Sequence, residues 1–181
     1  MSFFSKSTII ALVAIIAFFA FVNLSIQISP VVGSSMWPGL ENGQVLIINK
    51  LAYLLSEPQR GDIIVFDPPD NIGNGNEFIK RVIGLPGETV RIINGIVYVE
   101  KANGDTIHLD EPYVKNNASY DFTGDPIKEG EYFVLGDNRI NSLDSRSGWT
   151  VTETNIVGKA WFSIWPISRL GGVPNYALAT Q

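Results

Sequence analysis

Cysteine is absent from this chain of 181 residues, and histidine occurs only once, as His108. The lack of cysteine excludes disulfides, zinc sites built from thiolates and a cysteine nucleophile. A Ser-His-Asp triad could use only His108, whose Asp-Thr-Ile-His-Leu context is typical of an exposed strand. Acidic residues form no cluster with the spacing of metal ligands, so we expect neither a metal nor a cofactor.

Positive charge is also scarce. The chain has 13 lysines and arginines against 18 acidic residues, which gives a net charge of −5. Because phosphate affinity requires clustered Lys and Arg, and the basic residues here are scattered, we expect no nucleic-acid partner.

Charge is missing altogether from residues 7–40. An apolar stretch runs from residue 8 to Ile26 when its few polar residues are tolerated. These 19 or so residues are enough to cross a hydrocarbon core of roughly 30 Å. Since Lys6 precedes the stretch, the positive-inside rule predicts residues 1–6 in the cytoplasm, an anchor at 7–26 and an extracytoplasmic domain at 27–181 of a single-pass plasma-membrane protein.

Two other interpretations of the apolar stretch are a removable secretory signal and a buried helix of a soluble domain. A removable signal needs a small-x-small cleavage site after the apolar run. Ala20 is preceded two positions earlier by the bulky Phe18, and Ser25 by Asn23, so neither site fits well.

The rest of the chain predicts a mainly β fold, a compact β-barrel or folded β-sheet. Short β-branched runs broken by Gly, Pro, Asn and Asp give candidate strands at 45–49, 62–66, 77–83, 89–93, 96–100, 132–135 and 157–164. Asn94-Gly95 predicts a two-residue hairpin turn. Residues 51–56 suggest a short helical turn, and residues 101–130 a loop region with a strand or two. About 155 residues remain outside the anchor, enough for one core.

A serine and a lysine are the candidate catalytic groups. Ser35 lies in a Gly-Ser-Ser turn, and a serine hydroxyl needs a nearby base to act as a nucleophile. Strand alternation places Lys80 on one face with Phe78 and Val82, where partial desolvation lowers the pKa of its amine. A neutral amine can accept the serine proton. The alternative is an edge-strand lysine that reaches solvent and blocks aggregation.

A third segment, residues 136–146, is dense in turn residues. Gly136-Asp137-Asn138 ends a predicted strand, and the polar groups that follow could form a hydrogen-bonded support for a site. A capped surface loop held by Asp–Arg pairs is the other interpretation of this segment.

Taken together, these segments resemble the bacterial type I signal peptidases. Four blocks occur in the order of that family, behind an N-terminal anchor, and they comprise residues 33–38, 60–66, 80–88 and 136–146. The resemblance implies a membrane-bound serine endopeptidase with a Ser-Lys dyad. It would remove N-terminal signal peptides from exported precursors after small residues, through an acyl-enzyme, with the lipid bilayer as its other partner.

The resemblance also implies roles for individual residues. Ser35 matches the nucleophile, Lys80 the general base, and Ser142 a hydroxyl that orients the lysine. Asp144 and Arg146 match a structural ion pair, and Asp137 belongs to the same polar surroundings. The positions that match the substrate pockets are Val31, Met36, Leu40, Phe78 and Ile79.

The chain departs from the family pattern in two informative places. Gly33 stands where some members carry a serine that completes the oxyanion hole, and Gly39 replaces a usual threonine. Three other interpretations remain open: a self-cleaving repressor, a catalytically inactive binding module, and a penicillin-binding fold. The last requires Ser-x-x-Lys, and the residue three after Ser35 is Pro38.

Overall fold

The structure is a computed structural model that describes residues 5–69, 72–116 and 119–176. Over these residues the chain forms one α-helix, α1 (Lys6–Ser25), followed by twelve strands and three short 3₁₀ helices. The strands are β1 (Ile26–Pro30), β2 (Val45–Asn49), β3 (Ile63–Phe66), β4 (Phe78–Gly84), β5 (Thr89–Ile93), β6 (Ile96–Glu100), β7 (Thr106–His108), β8 (Phe122–Thr123), β9 (Glu131–Leu135), β10 (Val151–Thr152), β11 (Ile156–Trp165) and β12 (Gly171–Gly172).

The strands form two antiparallel sheets. The larger has the order β1-β2-β11-β3-β4-β9-β10, with β12 added beside β11, and the smaller has the order β7-β6-β5-β8. In the described residues β1 and β10 have no strand on their outer sides, so the large sheet is a curled half-barrel rather than a closed barrel. The mainly β prediction is therefore confirmed, in its folded-sheet form.

The centre of the large sheet is buried on both faces. All four residues of β3 are buried, with Ile63 and Val65 in one apolar cluster and Ile64 and Phe66 in another. A third cluster joins the two sheets through β4, β5, β6 and β9. A strand covered on both faces reads as a continuous apolar run, which is why β3 shows no polar alternation.

Several local predictions are confirmed. Asn94 and Gly95 both have positive φ and join β5 to β6 with Ile93 opposite Ile96. This backbone is the two-residue turn that matches the twist of a hairpin. Residues 101–130 contain two short strands, β7 and β8.

Other local features differ from the predictions or were not predicted. Residues 51–56 form a single hydrogen-bonded turn, in which the Leu54 N–H donates to the Leu51 carbonyl, followed by a bend. The helix ends at Ser25, and Ile26 already begins β1, an edge strand that pairs with β2 and ends at Pro30. The alternation Ile26-Gln27-Ile28-Ser29 is a short strand signal that directly follows the apolar helix and was not used in the prediction. Proline is tolerated at such an edge because one side needs no donor. Strands β10 and β12 have only two residues each and were not foreseen.

A buried ion pair ties β4 to the segment that follows β9. Arg81 donates from Nε and Nη2 to both carboxylate oxygens of Asp137 at 2.8 and 2.7 Å, and neither side chain is exposed. The remaining guanidinium nitrogen donates to the carbonyls of Gly61 and Pro174. The Tyr113 ring lies 4.0 Å from the guanidinium carbon, so the cation is covered as well as neutralised.

The stability of this fold should depend on that pair. Asp137→Ala leaves the Arg81 charge buried without its counter-ion, and we expect a loss of about 3 to 5 kcal/mol in the free energy of unfolding. The control is Glu100→Ala, which removes the exposed Arg91–Glu100 pair and should cost under about 1 kcal/mol. Urea unfolding of the full chain in detergent, followed by tryptophan fluorescence, measures both. Equal losses in the two variants would contradict the assignment.

Candidate active site

Ser35 lies in a turn that is fixed from both sides. The side chains of Met36 and Leu40 are each about 1% exposed, and they pack into the apolar cluster beneath the turn. The carbonyl of Ser35 accepts the backbone N–H of Asn138 at 3.0 Å, and Asn141 donates to the Ser34 hydroxyl at 2.9 Å. Hydrogen bonds thus join the turn of Ser35 to the loop after β9, which is about a hundred residues away in sequence.

Lys80 lies on β4, between β3 and β9, so the edge-strand alternative is wrong. Its side chain is buried, and Nζ lies 2.8 Å from Oγ of Ser35 and 2.9 Å from the carbonyl oxygen of Ile79. The Phe78 ring covers the amine at 5.2 Å. The structure therefore brings together the two residues that the sequence predicted as nucleophile and base.

Burial shifts the protonation equilibrium of Lys80 toward the neutral amine. Burial lowers the pKa of Lys80 from 10.5 to about 8, because the ammonium loses its hydration. The carboxylates of Asp144 and Asp137 act in the opposite direction and raise that pKa, but burial outweighs them. Above pH 8 most of the amine is free to accept a proton.

The pair lies in a groove of about 810 Å³. One wall runs along residues 29–35 and the other along residues 75–80, with Leu46, Ile48 and Val65 also among its lining. Of the predicted pocket residues, Val31, Phe78 and Ile79 line this groove. Met36 and Leu40 do not line it; they are buried in the cluster beneath, where they support the turn of Ser35.

The predicted Asp144–Arg146 ion pair is present. Arg146 donates to both carboxylate oxygens of Asp144 at 2.7 and 2.8 Å, and the same carboxylate accepts the backbone N–H of Gly136 at 3.1 Å. Arg146 also donates to the carbonyl of Arg139. The pair therefore closes the loop 136–146 on itself.

Gly136 packs closely against the turn of Ser35. A Cβ at that position would lie 2.2 Å from Oγ of Ser142 and 2.5 Å from the carbonyl oxygen of Ser35, so only glycine fits. Oγ of Ser142 is buried here and has no hydrogen-bond partner among the described residues. It forms no hydrogen bond to Lys80 in this structure, and its role in orienting the amine remains a prediction.

A steric constraint also explains why residue 39 is glycine. A Cβ there would lie 2.3 Å from Oδ2 of Asp137, in the position that the ion pair with Arg81 fixes. Burial raises the pKa of Asp137, while the two hydrogen bonds from Arg81 act to keep the carboxylate ionised. The departure from the usual threonine is thus matched to the packing of this carboxylate.

Two supporting pairs were not predicted. Arg139 donates to both carboxylate oxygens of Glu111, and Arg81 binds Asp137. Both arginines were visible in the sequence blocks, but their partners are 28 and 56 residues away in the chain. Only the folded chain reveals such pairings. His108 is exposed on β7 and does not line the groove.

No group of three or more His, Cys, Asp or Glu side chains within the described ranges is arranged to hold a metal ion.

Comparison with known proteins gives a consistent result. A family profile described as signal peptidase, peptidase S26, matches residues 4–165. The probable signal peptidase I-2 of Synechocystis is 43% identical over 141 residues, which cover 76% of this chain and 62% of that protein's length. Signal peptidase I of Bacillus caldolyticus is 37% identical over 174 residues, 88% of each chain.

A crystal structure of a signal peptidase I from Enterococcus faecalis is also similar. It is 36% identical, with a TM-score of 0.49, and the alignment covers 57% of this chain and 97% of that one. The family match over residues 4–165 includes the nucleophile turn, β4 and the loop 136–146. This chain therefore belongs to the signal peptidase family of serine endopeptidases, peptidase S26.

Proposed function

We propose that this chain is a membrane-bound endopeptidase that removes N-terminal signal peptides from exported precursor proteins. Ser35 is the nucleophile and Lys80 the general base. The observation that carries the proposal is the 2.8 Å contact between the buried Lys80 amine and the Ser35 hydroxyl in the wall of a groove.

Acylation begins with proton transfer from Oγ of Ser35 to the neutral amine of Lys80. Oγ attacks the scissile carbonyl carbon, and the negative charge develops on the carbonyl oxygen. The backbone N–H of Ser35 donates no hydrogen bond within the described residues, so it is free to hold that oxygen. The Lys80 ammonium then protonates the leaving amine, which is the new N-terminus of the mature protein.

Deacylation uses the same amine. Lys80, neutral again, takes a proton from water while the water oxygen attacks the ester carbonyl. When the second tetrahedral intermediate collapses, Oγ of Ser35 recovers the proton and the signal peptide leaves with a free carboxyl group. We assign Ser142 as a further partner of the amine. Its Oγ is buried and unbonded in the described chain, while Nζ has two partners and an ammonium can donate three hydrogen bonds.

The groove supports a preference for small residues, as in Ala-x-Ala sites. Val31, Phe78 and Ile79 contribute apolar side chains to walls that flank the catalytic pair. An extended substrate points alternate side chains to the same wall, so its first and third residues before the cut meet these groups.

The location of the enzyme follows from α1 and the apolar surface next to it. Helix α1 has 20 residues, enough to cross a hydrocarbon core, and it is exposed along nearly all its length rather than packed on the domain. β1 continues from it without a linker, so the domain lies at the membrane surface. Large apolar side chains are exposed on the large sheet, to which β1 belongs, and just beyond it. They are Ile28, Trp161, Trp165, Ile167 and Leu170, and tryptophan is favoured at a membrane interface.

Single variants at the dyad should abolish cleavage. We expect Ser35→Ala and Lys80→Ala each to lower kcat at least about 10³-fold on a precursor with an Ala-x-Ala site, and the double variant to lose no more, because the two groups act as a unit. Lys80→Arg should not restore activity, since a guanidinium stays protonated.

The measurement uses the detergent-solubilised full chain, with exposed Lys101→Ala as the control that keeps activity. Cleavage at an undiminished rate by either single variant would overturn the dyad.

The orientation, with residues 1–6 in the cytoplasm and the domain outside, can be tested because the chain has no cysteine of its own. In intact spheroplasts a membrane-impermeant thiol reagent should label Lys101→Cys directly, and Ser2→Cys only after permeabilisation. The reverse pattern would show that the domain faces the cytoplasm.

A further inference from the structure

The groove beside the catalytic pair holds an unexplained charge. Among the described residues that line it, only Glu77 and Lys80 are ionisable. Lys80 acts as a neutral amine in the proposed reaction, so the exposed carboxylate of Glu77 is then the one formal charge along the walls that the structure describes.

Glu77 is held in place by an uncharged partner. Nε2 of Gln27 donates to its two carboxylate oxygens at 2.9 and 3.1 Å. Gln27 lies on β1, two residues after the end of α1, and Glu77 directly precedes β4. The hydrogen bonds tie Glu77 to β1, the strand that leads into the wall at residues 29–35, and they orient the carboxylate without neutralising it. No cation pairs with it in the described residues.

The position of this carboxylate places it beside one part of a bound substrate. Glu77 and Lys80 are three positions apart, which corresponds to about 10 Å along a strand. One wall begins at Ser29, four residues after the end of α1, and the other includes Glu77, which is hydrogen-bonded to Gln27 on the same strand. Both walls lead from this anchor side toward the pair at Ser35 and Lys80. A precursor held in the membrane by its own apolar helix enters from the same side. Its residues before the cut therefore pass Glu77.

We propose that Glu77 is a specificity-determining residue that reads the charge of the signal peptide just before the cleavage site. It favours a basic residue over an acidic one at about the fourth to sixth position before the cut, beyond the two small residues. This inference rests on the proposed function, because it names what the same groove selects.

Glu77 is not part of the chemistry. It contacts Gln27, not Ser35 or Lys80, and the carboxylates that raise the Lys80 pKa are Asp144 and Asp137. Neutralising Glu77 should therefore change how well charged substrates bind and leave the catalytic step unaltered.

The test compares three peptides that differ only at the fifth residue before an Ala-x-Ala site, which is Lys, Gln or Glu. The enzymes are the full-length chain, Glu77→Gln, which keeps the shape of the side chain, and Glu129→Gln, which removes an exposed charge outside the groove. For the unaltered chain we expect kcat/KM to be about three- to fivefold higher for the Lys peptide than for the Glu peptide, through KM.

Glu77→Gln should cleave all three peptides with the same kcat/KM, whereas Glu129→Gln should keep the preference. Raising the salt concentration should weaken the preference of the unaltered chain, since exposed charges are screened. A preference that persists in Glu77→Gln, or no preference in the unaltered chain, overturns the inference. Failure of the proposed function is distinguishable, because the Gln peptide would then not be cleaved in a Ser35-dependent manner.

Discussion

The proposed reaction depends on keeping one amine out of water. Lys80 is buried on a central strand, and its Nζ meets Oγ of Ser35 at 2.8 Å. In water an amine with a pKa of 10.5 is almost fully protonated at neutral pH and cannot act as a base. Burial lowers that pKa to about 8, which suits the amine to the role of general base that we propose for it.

The loop 136–146 places two carboxylates near Lys80, and their ion pairs with arginines limit the effect of these charges on the Lys80 pKa. Asp137 and Asp144 raise the Lys80 pKa, yet each is bound at both oxygens by an arginine, Arg81 and Arg146. Their charges are largely committed to those partners, so desolvation of the amine prevails. The same loop binds the nucleophile turn through its backbone, so the catalytic distance and the electrostatic balance have one structural origin.

The sequence predicted the mainly β fold, and it singled out Ser35 and Lys80, which the structure brings together, because both depend on local patterns. Ser35 and Lys80 lie in blocks that resemble one family, and the hairpin at Asn94-Gly95 depends on two adjacent residues. The features that the sequence did not reveal are long-range ones: the partner of Arg81, the pairing of β1 with β2, and the burial of Met36 away from the groove. Each depends on contacts between distant segments, which residue types alone do not specify.

The most direct test is to titrate the Lys80 amine itself. In the full chain with ¹³C-labelled lysine in detergent, the Cε resonance missing from Lys80→Ala is assigned to Lys80. The account predicts that this resonance titrates with a midpoint near pH 8, with the neutral form present above it and the ammonium below it. A midpoint at the ordinary lysine value of about 10.4 would contradict the claim that Lys80 is a desolvated base.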